Sequence, residues 1–233
     1  MSEAGAARRR SMQNMPVVDL SGVRSREEVA GLRIHNVAVV LVPADLPDLL
    51  RDADCENVAL ILPVIAGTTL ESRTGDMELS GDSLAGGDEH AILLLVGRIV
   101  VTSEVTKVGY RGLILVGEPI LPRSAQRALA GKIINQTGHV VYYDGENPRV
   151  FGDGTRFTKA FFELVQEPLV LVAGDCTFAA DVTPELLRQK VRSLALSGEA
   201  TVERADLEPV VQYLATSTAG RVTVAAPGAG SGS

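Results

Sequence analysis

The chain has 233 residues, 45% of them hydrophobic, with a net charge of −7, 4% aromatic residues and no tryptophan. That length suffices for a substantial core, which medium aliphatic side chains must fill. The acidic balance speaks against nucleic acid as the main partner, because phosphate binding needs a basic surface.

In chain order, residues 1–16 read as a disordered basic tail carrying Arg8, Arg9 and Arg10. No apolar run follows the arginines, so no secretory signal is expected. A single ordered domain is expected over residues 17–226, with 227–233 a flexible Gly/Ser tail. Two cysteines, Cys55 and Cys176, are too few for a disulfide framework, and a reducing cytoplasm is the expected location.

Repetition starts at Ile34-His35-Asn36-Val37-Ala38, which aligns with Cys55-Glu56-Asn57-Val58-Ala59. Between them, residues 44–51 are predicted to form a short amphipathic helix with Asp45 as candidate cap. The form apolar-x-apolar-x-Gly then recurs, ending at Gly81, Gly97, Gly117, Gly174 and Gly198. Glycine at such positions marks a bend or close backbone approach, so one is predicted at each corner of successive coils. The longest apolar run, Ala91 to Val101, contains Arg98 and is too short to cross a bilayer. It reads as a strand buried on both faces, and no integral membrane segment is expected. Segments Ser80–Asp82 and Ala85–Glu89 read as exposed turns.

Helices are predicted at Ser124–Lys132 and at Thr155–Val165, the second holding Phe157, Phe161 and Phe162 with Asp153 or Thr155 as cap. Thr183-Pro184-Glu185 is a strong helix start, combining a hydroxyl cap, a proline at the first position and an acid on the positive end of the dipole. A last helix is predicted over Asp206–Leu214.

The spacing Val29-x-x-Leu32-x-Ile34-x-Asn36 resembles the start of a leucine-rich repeat, a family in which the asparagine bonds the backbone at the turn out of the strand. The Asn-Val-Ala and apolar-x-apolar-x-Gly rungs together resemble leucine-rich-repeat or bactofilin-type β-solenoids over residues 29–203. The resemblance implies a β-rich α/β solenoid, stacked strand coils with short helices on some coils. A compact α+β domain with a mixed sheet is the alternative.

Chemistry is sparse. His35, His90 and His139 share no metal-motif spacing. The acids Asp45, Asp48, Asp52 and Asp54 lack the glycine of a calcium loop. Phe151-Gly152-Asp153-Gly154-Thr155 lacks the lysine of a P-loop and the third glycine of a dinucleotide fingerprint. No metal or cofactor is expected. A catalytic alternative, a hydrolase or transferase, would use His139 or Cys176 with Asp153 or Asp175. Tyr142 and Tyr143 are neighbours on a predicted strand and point to opposite faces, so one of them is a candidate contact. Arg221, Val222 and Val224 lie on the closing strand and are candidates too. The expected function is a non-enzymatic scaffold that self-associates through its coil ends into a homo-oligomer or filament. The next reading is a protein-binding module using the sheet surface or the exposed loops around Ser80 to Glu89.

Overall fold

A computed structural model describes residues 10–46, 48–215 and 220–225. The first three strands, β1 (Ser11–Asp19), β2 (Arg33–Pro43) and β3 (Asp54–Val64), form one sheet in that order. Next come β4 (Thr69–Thr74), β5 (Met77–Leu79), helix α1 (Gly81–Ala85), β6 (Ala91–Gly97), β7 (Ile99–Val101), β8 (Gly112–Gly117) and β9 (Ile120–Pro122). Helix α2 (Ala125–Leu129), β10 (Ile133–Gly138) and β11 (Val141–Tyr143) complete this group, whose sheets are β4-β6-β8-β10 and β5-β7-β9-β11.

The remaining elements are β12 (Arg149–Phe151), β13 (Thr155–Phe157), α3 (Lys159–Glu163), β14 (Leu169–Ala173), β15 (Cys176–Phe178) and α4 (Pro184–Lys190). They continue with β16 (Val191–Leu196), β17 (Glu199–Val202), α5 (Glu208–Leu214) and β18 (Arg221–Val224). Their sheets are β12-β14-β16 and β13-β15-β17-β18.

Every pair is parallel, and each strand meets its counterpart one repeat along: Ser11 faces Arg33, Leu93 faces Leu113, and Cys176 faces Ala200. No sheet closes on itself among the described residues. Pairing stops between β3 and β4 and again between β11 and β12, so the strands form three stacks rather than the single uninterrupted column expected.

Each stack turns its corner differently. In the first, Asn14, Asn36 and Asn57 hold φ of 55°, 55° and 54°. Asparagine tolerates this left-handed region better than other side chains. Their carboxamides bond to one another: Asn36 Nδ2 donates to Asn14 Oδ1 at 3.1 Å, and Asn57 Nδ2 to Asn36 Oδ1 at 2.8 Å. In the second stack the corner belongs to Gly75, Gly97, Gly117 and Gly138. At Gly117 φ is +108°, and a Cβ would stand 2.7 Å from the Gly97 carbonyl oxygen. Gly81, expected in this series, instead begins α1, where the Ser80 hydroxyl accepts from the Ser83 N–H at 3.2 Å. In the third stack aspartate carboxylates bridge the rungs: Asp153 Oδ1 accepts from Asp175 N at 3.0 Å, and Asp175 Oδ1 from Glu199 N at 2.7 Å.

The stacks have separate cores joined by two further apolar layers. Ile34, Val37, Val40 and Val42 face the first core, while Val39 and Leu41 alternate to the opposite face. There they join Leu94, Val96, Ile114 and Val116 of the second stack. The run Ala91–Val101, expected as one strand, divides at Arg98 into β6 and β7 of different sheets; β6 is covered on both faces, since Leu93 and Leu95 face the second core. A second layer puts Val100, Ile120, Val141 and Tyr143 together with Val170, Val172 and Ala195. Burying each such side chain contributes about 1.5–3 kcal/mol.

Several predicted elements shift. Residues 44–46 and 48–53 form turns and a bend instead of a helix, and Pro47 lies outside the described residues. Segment 155–165 divides into β13 and α3, because Thr158, not Asp153 or Thr155, caps the helix by accepting from the Phe161 N–H at 3.3 Å. Thr183 does cap α4, accepting from Leu186 N at 3.2 Å. The last helical segment begins with a 3-10 turn over Ala205–Leu207. Strand β1 starts at Ser11, inside the predicted tail, while 1–9 and 226–233 lie outside the described residues. No helix among the described residues is long and apolar enough to cross a membrane.

Candidate functional site

Three places carry chemistry or unpaired surface. The first is a groove of about 400 Å³ where the corners of the second and third stacks meet, lined by Glu118, His139, Asp153, Asp175, Ser197 and Gly198. Glu118 and His139 directly follow the corner glycines Gly117 and Gly138. The fold thus brings His139, Asp153 and Asp175, expected as catalytic partners, to one place. It does not join them: among the described residues no hydrogen bond or ion pair links His139 to either carboxylate. Each aspartate instead spends an oxygen on a backbone N–H of the next rung. Beside the groove, Arg98 donates to the Phe151 carbonyl at 3.3 Å, and its Nε stands 3.9 Å from Glu118 Oε2.

Cys176 does not enter this groove. It packs in the core of the third stack, where burial first and the Asp175 charge second push its thiol up to about 12. Burial keeps the thiol protonated at neutral pH, the opposite of the thiolate a nucleophile needs. His35 is flanked by Asp54, 3.5 Å from its Nε2, and Glu56, 3.6 Å from its Nδ1. No group of three or more His, Cys, Asp or Glu among the described residues is arranged to hold a metal ion.

The second place is a cleft of about 830 Å³ against the third stack. Its walls include Arg149, Phe151, Phe161, Leu164, Glu167 and Arg192, and Leu164 is 83% exposed. These residues come from separate stretches of chain and share no local pattern, so sequence reasoning had no signal for them.

The third comprises the open strand edges. Arg221, Val222 and Val224 lie on β18, the terminal strand of its sheet; Val222 packs inward, while Arg221 and Val224 are exposed. Tyr143 is wholly buried and its hydroxyl donates to the Val101 carbonyl, which leaves no surface for a partner. Its desolvation also raises the phenol well above its usual range. Tyr142 is half-buried against the core of the second stack. Among the described residues the longest open edges belong to the first stack, β1 on one side and β3 on the other. On them Met15 is 43% and Ile61 47% exposed.

Comparison with known protein families, with curated proteins and with solved structures finds no match.

Proposed function

We propose that this chain is a non-enzymatic scaffold, built as three short solenoid segments, that self-associates through the ends of its strand stacks. The observation that carries the reading is the pair of open edges on the first stack, each with an exposed apolar side chain, Met15 and Ile61. A parallel sheet edge presents a row of unpaired N–H and C=O groups that pairs readily with another strand. The corner residues also favour architecture over catalysis: the asparagines and aspartates spend their polar atoms on neighbouring rungs.

Size-exclusion chromatography with light scattering, run over a hundredfold range of concentration, tests the reading. Mass is expected to rise with concentration; a constant monomer mass overturns it. A second reading, a module that binds a protein partner, is favoured by the cleft beside Leu164. Large exposed apolar surface in a concave site is typical of binding grooves. Under that reading Leu164→Asp abolishes capture of a partner and leaves the mass profile unchanged.

A further inference from the structure

The first stack is polar along its axis. Both bonds of the asparagine ladder run backwards along the chain, Asn57 donating to Asn36 and Asn36 to Asn14. At one end the Nδ2 of Asn14 has no acceptor among the described residues; at the other the Oδ1 of Asn57 has no donor. The two ends therefore carry complementary halves of the bond already made twice inside the stack.

The apolar columns end in the same complementary way. Met12 stands over Ile34 and Cys55, Met15 over Val37 and Val58, and Val18 over Val40 and Ile61. Cys55, Met15 and Ile61 are exposed, and among the described residues no further rung pairs with β1 or β3. Charge matches too. Asp52 is exposed at the β3 end and Arg10 where the chain enters β1, while Asp54 and Glu56, also exposed at the β3 end, already lie beside Arg33 and His35 of the same stack.

Hydrogen-bonding direction alternates along a strand, which fixes which groups point outward. The Ala44 N–H donates to Val64 O, so Leu60, Leu62 and Val64 direct their polar atoms at β2. Ala59, Ile61 and Pro63 direct theirs outward. Pro63 has no N–H and removes one donor from this edge; Ala59 and Ile61 keep theirs. On β1 the Leu20 N–H donates to Leu41 O, so the ring nitrogen of Pro16 faces β2 and does not blunt the outer edge.

We propose that the outer edge of β3 takes β1 of a second copy as a fourth parallel strand, with Asn14 of that copy over Asn57. The proposal rests on the self-association reading and names its surface. The contact joins two different patches, so each copy keeps one free end and the assembly grows head to tail. Adjacent strands twist by roughly 20–25°, which turns successive copies by about 60–75° over three strands. Their second and third stacks are spread around the axis of the first.

The test uses the full chain. In the register above, Met12 of one copy stacks on Cys55 of the next, so Met12→Cys under copper-catalysed oxidation is expected to give a ladder of disulfide-linked multimers. Adding Cys55→Ser to that variant should remove every species above the dimer. Ile61→Lys should raise the concentration needed for association more than tenfold, with unchanged circular dichroism and melting. If the wild type associates while Met12→Cys gives no multimers and Ile61→Lys associates normally, this interface is wrong and the scaffold reading stands on another edge. If the wild type never associates, both fall.

Discussion

The carboxamide of Asn57 donates to the side-chain oxygen of Asn36 at 2.8 Å, and both residues hold the same left-handed backbone, φ 54° and 55°. Asn36 is the middle of the ladder and makes both of its bonds. Asn36→Ala loses two hydrogen bonds, each worth about 0.5–1.5 kcal/mol. It also replaces asparagine, which tolerates the left-handed region, with alanine, which tolerates it less well, at up to about 2 kcal/mol. The expected loss is about 1–5 kcal/mol by urea denaturation. Asn36→Gly removes the bonds without the backbone strain and should cost less; equal losses would show that the corner is not held in this conformation.

At the corners of the second stack the constraint is space rather than hydrogen bonding. Gly117→Ala meets the Gly97 carbonyl and an unfavourable φ together, and should destabilise by about 2–5 kcal/mol. Gly31 also has positive φ, +72°, but nothing lies within 4 Å of an added Cβ. Gly31→Ala should cost about 1–2 kcal/mol, the left-handed penalty alone. Thermal melting of the two variants side by side checks the order.

Leu94 is fully buried in the layer between the first and second stacks. Leu94→Ala should cost about 2–5 kcal/mol, as for any well-packed leucine. A single cooperative transition in calorimetry is expected to persist at lower temperature. Two separate transitions in the variant would mean that the stacks unfold independently.

Acid should weaken the third stack through Glu203. Arg156 donates to both of its carboxylate oxygens, one bond measuring 2.9 Å, and the Ala180 N–H adds another at 3.0 Å. The Arg156 hydrogen bonds, helped by the Ala180 N–H and the Arg156 charge, hold the carboxyl below its usual range against the opposing effect of burial. A carboxyl whose pKa is depressed by folding stabilises the protein above its unfolded pKa, and that contribution is lost as pH falls through the lowered value. Glu203→Gln should melt below the wild type at neutral pH, with the gap closing in acid and shrinking in high salt. A gap independent of pH would contradict the assignment.

The strand rungs were legible because a parallel ladder repeats its chemistry: the Asn-Val-Ala triplets align in sequence and also in space, with Val37 opposite Val58. Ala91–Gly97 was legible as a strand covered on both faces from its apolar run, but the break at Arg98, where the chain passes from β6 to β7 in another sheet, was not. Where one stack ends and the next begins was not, since Ile65–Thr68 looks like any other short turn in sequence. The phenylalanine segment misled because Phe157, Phe161 and Phe162 fit a helical spacing, whereas Phe157 belongs to a strand and the three rings meet across a strand–helix boundary. The groove with His139, Asp153 and Asp175 is half visible in the sequence: the residue types stand out, but their proximity comes from the packing of two stacks.

Negative-stain electron microscopy of the purified full chain at micromolar concentration addresses the central claim most directly. Open stack ends predict elongated particles of varied length that lengthen with concentration and shorten in Ile61→Lys. A uniform field of monomer-sized particles at every concentration would contradict the account.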